Sequence, residues 1–192
     1  EVRKDFNLEA YYANILKSDV KILSKDDPQY SRQLLEIDQA PPVLYLKGDI
    51  IPEDEWGVAI VGTRKVTHYG KQVSEEFSRT LADHGITIIS GLARGVDGIA
   101  HKTALEAGGR TIAVLGSGVD RIYPAEHRGL AQEIMKNGAV ISDYPQGTAP
   151  EASNFPPRNR IISALSKVTI IIEAGATSGA LITAEFAVNQ GK

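Results

Sequence analysis

Four stretches of this 192-residue chain concentrate glycine, hydroxyl and basic side chains: Gly62-Thr63-Arg64-Lys65, Ser90-Gly91-Leu92-Ala93-Arg94-Gly95-Val96-Asp97, Gly116-Ser117-Gly118-Val119-Asp120-Arg121 and Phe155-Pro156-Pro157-Arg158-Asn159-Arg160. A fifth, Glu173-Ala174-Gly175-Ala176-Thr177-Ser178-Gly179, carries small residues and hydroxyls. Glycines let the backbone approach an oxyanion, Ser and Thr donate hydrogen bonds, and arginines add charge-assisted, often bidentate contacts. The chemistry is phosphate recognition. Repeated over several loops, it describes a trough rather than a socket, which suits a single strand of nucleic acid. Phe155 opens one basic loop and Tyr123-Pro124 closes another, so each has a ring on which a base could stack. Pro156-Pro157 favours extended backbone, which puts Arg158 and Arg160 on one side and leaves a helix over Ile161 to Leu165.

Other chemistries fit less well. No Gly-rich turn has the three-glycine spacing of a dinucleotide site, and no Gly-Lys-Ser/Thr phosphate loop occurs. Ser90, Asp97 and His101 share a segment, and Glu173 and Glu185 flank the last Gly-rich loop, but the simpler reading pairs Asp97 with His101 across one helical turn. Four scattered histidines (His68, His84, His101, His127) lack ligand spacing and cysteine is absent, so neither a metal nor a cofactor nor a catalytic residue is expected.

The elements that must position these loops are legible from Gly57 onward. Short apolar runs, Val58–Val61, Ile86–Ile89, Thr111–Leu115, Ala139–Ser142 and Val168–Ile172, alternate with helix-compatible segments. Runs that are apolar throughout suit a parallel sheet covered on both faces. The right-handed crossover rule then gives an α/β fold: a Rossmann-like, doubly wound, mostly parallel sheet with helices on both faces. A short helical and extended segment precedes it, with a helical pattern at Leu8 to Lys17 and an apolar run at Val43 to Leu46. In such a sheet ligands bind beyond the carboxyl ends of the strands, where the basic loops lie. A sixth strand is expected after Gln190, which points to a fragment of a longer protein. The net charge of −3 hides an asymmetry: residues 1–56 carry 7 basic against 12 acidic side chains, residues 57–192 carry 14 against 12. No apolar run approaches membrane-spanning length, so no membrane association is expected.

Five ordered motifs bring a family into view: Val58-Ala-Ile-Val-Gly-Thr-Arg64; Ser90 to Asp97 with His101; Thr111 to Asp120 with Tyr123-Pro124; Phe155-Pro-Pro-Arg-Asn-Arg160; and Glu173 to Ala184. Together they resemble the DNA-processing protein A family, called DprA or Smf, over about Lys21 to Lys192. The resemblance implies a bacterial cytoplasmic protein without enzyme activity. Such a protein binds incoming single-stranded DNA during natural transformation, protects it and loads the recombinase RecA, typically as a homodimer. It implies that residues 1–20 end an N-terminal helical domain, that residues 21–192 are the Rossmann-like domain (21–56 a lead-in, 57–192 the sheet core), and that the last strands and a winged-helix-like domain follow. The family's DNA pocket maps to Gly62, Thr63, Arg64, Lys65, Ser90, Gly91, Arg94, Gly116, Ser117, Gly118, Arg121, Phe155, Arg158, Asn159 and Arg160. Two departures stand out. Many members have lysine after the Tyr-Pro pair or three residues before the Phe, where this chain has Ala125 and Ala152. The alternative is an enzyme like the nucleoside-monophosphate phosphoribohydrolases, sometimes described as lysine decarboxylase-like. Its Pro-Gly-Gly-x-Gly-Thr-x-x-Glu loop would correspond to Gly175–Gly179 with Glu185, which lacks the double glycine.

Overall fold

A computed structural model describes residues 7–192. Along the chain lie α1 (Leu8–Leu16), β1 (Lys21–Ser24), α2 (Arg32–Leu35), β2 (Val43–Gly48), β3 (Val58–Gly62), α3 (His68–Asp83), β4 (Ile88–Ser90) and α4 (Val96–Glu106). They are followed by β5 (Thr111–Val114), α5 (Arg128–Lys136), β6 (Gly138–Ser142), α6 (Phe155–Ala164), β7 (Val168–Ile172) and α7 (Gly179–Asn189). The seven strands form one sheet in the order β1-β2-β6-β5-β4-β3-β7. Strands β3 to β7 pair in parallel, while β1, β2 and β6 pair antiparallel.

This order has a functional consequence. From β3 the chain steps outward through β4, β5 and β6, then returns to place β7 on the other side of β3, in register from Val58–Val168 to Gly62–Ile172. The strand order therefore reverses between β3 and β7, and their following loops diverge to opposite faces, leaving a crevice at their carboxyl ends.

Alternate residues of the central strands face opposite layers, as the pleat requires. Ala59, Val61, Ile89, Val114 and Ile141 pack with Ile161, Ile162 and Leu165 from the α6 region and Ala180 of α7. Val58, Ile60 and Ile88 pack on the other face with Ala82 of α3 and Ala100 and Ala104 of α4, and Ala113 and Val140 pack with Ile134 of α5. The doubly wound expectation holds.

The lead-in is more integral than its composition indicates. It supplies the two antiparallel strands β1 and β2, and Leu23, Leu44 and Leu46 enter the main core. It is also pinned at the amino ends of β4 and β5. There the buried Asp54 carboxylate accepts from Thr87 Oγ1 at 2.7 Å and from Arg110 at 3.0 Å. No helix among the described residues is long and apolar enough to cross a membrane.

One local expectation fails. Arg158 and Arg160 lie on a helix that begins at Phe155, with the prolines in its first turn. Proline is well suited there, because the first helical N–H groups have no intrahelical partner and the ring presets φ. Two residues apart on a helix, the arginines diverge by about 200° instead of sharing a side.

Candidate nucleic-acid interface

The crevice between β3 and β7 is a cleft of about 750 Å³. Gly62 and Thr63 form its floor, with Arg64 and Lys65 at the rim; Ala93 and Asp97 come from the β4–α4 loop, Tyr123 from the segment before α5, and Phe155, Arg158 and Asn159 from α6. Thr177, Ser178 and Gly179 close it at the start of α7. Ser178 caps that helix, its Oγ accepting from Ala180 N at 3.3 Å. A small recess lined by Arg64, Gly91, Arg94, Tyr123 and Phe155 adjoins the cleft.

Two buried charges hold the walls. Asp97, 6% exposed, accepts from the N–H groups of Gly91 and Ala93 at 3.1 and 3.4 Å. Burial raises its pKa, while Arg158 and these N–H donors oppose the rise. Arg158, 4% exposed, donates from Nη1 to Gly91 O at 3.0 Å and to Val114 O, and from Nε to Asn159 Oδ1 at 3.2 Å. Burial pulls its guanidinium down to about 10; Asp97 counteracts this, and the charge of Arg64 reinforces it. A Cβ on Gly91 would lie 2.7 Å from Arg158 Nη2 and 2.8 Å from Asp97 Oδ2, so the two side chains flank this glycine closely.

The basic side chains are not equivalent. Arg64 and Lys65 are the exposed cations lining the cleft, and neither has a carboxylate within ion-pair distance among the described residues. Arg94 is held through Nε by Glu126. Arg121 lies 3.6 Å from Asp120 and outside the cleft lining. Arg160 is turned away from the cleft: Nη2 meets Asp143 at 2.8 Å, and Nε and Nη1 donate to Gln39 O and Pro157 O.

Several expected hydroxyl and glycine contacts prove internal. Ser90 Oγ donates to Ile60 O and Ser117 Oγ to Arg121 O, so both bind backbone carbonyls. Gly116 makes room for Phe155, whose Cδ1 would stand 3.0 Å from an added Cβ. Gly118 is buried against Asp120 and Pro145 O. Asn159 Nδ2 donates to Gly179 O at 3.2 Å, tying α6 to the start of α7. Thr63 Oγ1 accepts from Lys65 N at 3.1 Å, which turns the β3 loop.

The acid–base candidates do not converge either. Asp97 turns back to its own loop's N–H groups, and His101 Nδ1 lies 2.6 Å from Thr111 Oγ1. Because that hydroxyl donates to Ile88 O, the imidazole N–H must be on Nδ1, and burial holds the ring neutral with its pKa down at about 3. The expected Asp97–His101 pair is absent for this reason. Glu173 accepts from Thr67 N at 2.9 Å and from Thr67 Oγ1, bonds that lower its pKa and tie the β7 loop to the start of α3. Glu185 is exposed on α7 and does not line the cleft.

Sequence reasoning placed Tyr123 beside a basic loop but did not bring the two aromatics together. Their ring centroids are 5.7 Å apart at 47°, and Tyr123 is 39% exposed. Thr177 and Ser178 lay in the fifth hydroxyl-bearing stretch but outside the residues mapped to the pocket, although a Ser before Gly-Ala-Leu-Ile is a helix-start signal. Ala152 lines the cleft, so a lysine there would have added a charge to it.

Residues 21–192 match the family described as DNA recombination-mediator protein A. This chain belongs to that family. It is 47% identical to protein Smf of Synechocystis over 171 residues, 87% of this chain and 43% of the relative. It is 42% identical to DNA processing protein DprA of Bacillus subtilis over 165 residues, 85% of this chain and 56% of the relative. The chain thus spans about half the length of these curated relatives.

Among solved structures, DprA from Streptococcus pneumoniae superposes with a TM-score of 0.86 at 38% identity, over 94% of this chain and 64% of that one. DNA processing protein A from Helicobacter pylori, studied for its single-stranded DNA binding mode, gives 0.82 at 36% identity, over 90% and 78%. The molybdenum cofactor carrier protein of Chlamydomonas reinhardtii, at 0.52 and 24% identity over 71% and 72%, shares the fold alone.

Proposed function

We propose that this member of the DNA recombination-mediator protein A family binds single-stranded DNA in the β3–β7 cleft. It protects that DNA and loads RecA onto it during natural transformation, as a cytoplasmic homodimer and without catalysing a reaction of its own. The observation that carries the reading is the pairing of two unneutralised cations with two adjoining rings along one cleft: Arg64 and Lys65 for phosphates, Tyr123 and Phe155 for bases. The Helicobacter relative, described by its single-stranded DNA binding, supports the ligand class. Asp97 and His101 are engaged by internal hydrogen bonds, which favours binding over acid–base chemistry.

The test compares oligo(dT) with duplex DNA at fixed salt, then follows RecA nucleation on single strands covered by single-strand-binding protein. Preference for oligo(dT), kept in Arg64→Ala but with weaker binding to both DNAs, is expected. Equal affinity for both, or release of free base from a nucleoside monophosphate, refutes the reading.

A further inference from the structure

We propose that Arg158 is a positioning residue: it holds the β4–α4 loop and the Phe155 ring in place for DNA without touching a phosphate. This rests on the cleft being the DNA site. Three of the guanidinium N–H groups are already committed inside the protein, two on Nη1 to the carbonyls of Gly91 and Val114 and one on Nε to Asn159 Oδ1. The side chain is 4% exposed. A phosphate ligand has to present its donors outward, as the exposed Arg64 does.

What the buried fork organises is specific. Arg158 donates to the carbonyl of Gly91 while Asp97 accepts from its N–H, so one residue of the loop is gripped at both backbone polar groups. The guanidinium carbon lies 5.7 Å from the centroid of the Phe155 ring, one helical turn earlier on α6. Phe155 in turn lies against Gly116 and within 5.7 Å of Tyr123. A planar fork can reach two carbonyls and a side-chain amide at once while stacking on a ring; a lysine ammonium cannot reproduce this geometry. The aromatic half of the site therefore depends on Arg158, and the ionic half on Arg64 and Lys65.

Salt titration and base stacking read these halves separately. With oligo(dT) carrying one 2-aminopurine, Arg158→Gln and Arg158→Lys should leave the slope of log K against log[salt] at the wild-type value. They should lose the stacking quench at saturation and weaken binding about tenfold, the scale of one stacked base. Arg64→Ala should keep the quench and reduce the slope by about 0.7. Only folded variants are compared, judged by cooperative unfolding, and Asp97→Asn/Arg158→Gln, which removes both buried charges together, is measured alongside.

The wild-type chain supplies an arm that no folding failure affects. The Arg158 Nε–H resonance should be exchange-protected without DNA and unshifted when oligo(dT) is added, while that of Arg64 shifts. A slope reduced in Arg158→Gln, binding and quench restored by Arg158→Lys, or an Arg158 Nε–H that shifts with Arg64 overturns the proposal. Absence of any wild-type binding to oligo(dT) instead refutes the DNA reading itself.

Discussion

Replacing Arg64 and Lys65 together by alanine tests the ionic half of the cleft most directly. They are its exposed basic side chains without a carboxylate partner among the described residues, so each is available to displace one counterion. For single strands each phosphate contact contributes about 0.7 to the slope of log K against log[salt], so the double variant should lose about 1.4. Between 50 and 200 mM salt, one such contact makes affinity fall about 2.5-fold and two about sevenfold. Wild-type affinity should therefore drop some sevenfold more than that of the variant over this range, and the two binding curves should converge as salt rises. Fluorescence anisotropy with a labelled oligo(dT) at several NaCl concentrations measures this. Parallel lines of equal slope would show that these side chains neutralise no phosphate.

The remaining predictions concern the rim, the buried histidine and the loop glycine. Glu126→Ala should free Arg94 at the recess and steepen the salt slope by about 0.7, with tighter binding at low salt; an unchanged slope would show that Arg94 lies out of reach. His101 has its folded pKa down at about 3 against an ordinary 6.5, so its stabilising contribution is complete above pH 6.5 and is lost as pH falls toward 3. Between pH 7 and 5 that amounts to about 2 kcal/mol, which His101→Asn should remove from the pH profile of chemical denaturation; a variant profile parallel to wild type would contradict it. Gly91→Ala should cost about 1–3 kcal/mol, because the new methyl meets Arg158 and Asp97, whereas Gly129→Ala, in open space within α5, should stabilise by about 0.5–1 kcal/mol. Thermal unfolding of the two variants checks that opposite sign.

The parallel strands were legible because apolar runs such as Val168–Ile172 recur between helical segments and have no other role in a short chain. The glycine and hydroxyl loops were correctly placed at the carboxyl edge by topology alone. What each side chain does there was less accessible. Pro156-Pro157 suggests extended backbone locally, yet the same residues open α6, and that difference buries Arg158 and turns Arg160 toward Asp143. The neutralisation of Arg94 comes from Glu126, 32 positions away, through a loop whose path no local pattern specifies. Ser90 and Ser117 look like phosphate donors in sequence, but Ser90, at the end of β4, and Ser117, in the loop after β5, are both buried and donate to backbone carbonyls instead.

A net charge of −3 alongside a cleft with two free cations has a consequence for how affinity is divided. Long-range attraction requires a field from the whole surface, and this chain's excess of acid in residues 1–56 opposes it. Recognition then depends on short-range contacts of two kinds with different signatures. Phosphate contacts fade as salt rises, since their gain is counterion release; extrapolation to 1 M salt removes that gain and leaves the non-ionic remainder. Stacking on Tyr123 and Phe155 belongs to the remainder, at about 1–3 kcal/mol per base. The slope of the titration therefore reports Arg64 and Lys65, and its intercept reports the ring pair with the buried arginine behind it. A site made only of basic loops would lose nearly all affinity at high salt, whereas this one should retain a residual set by the rings.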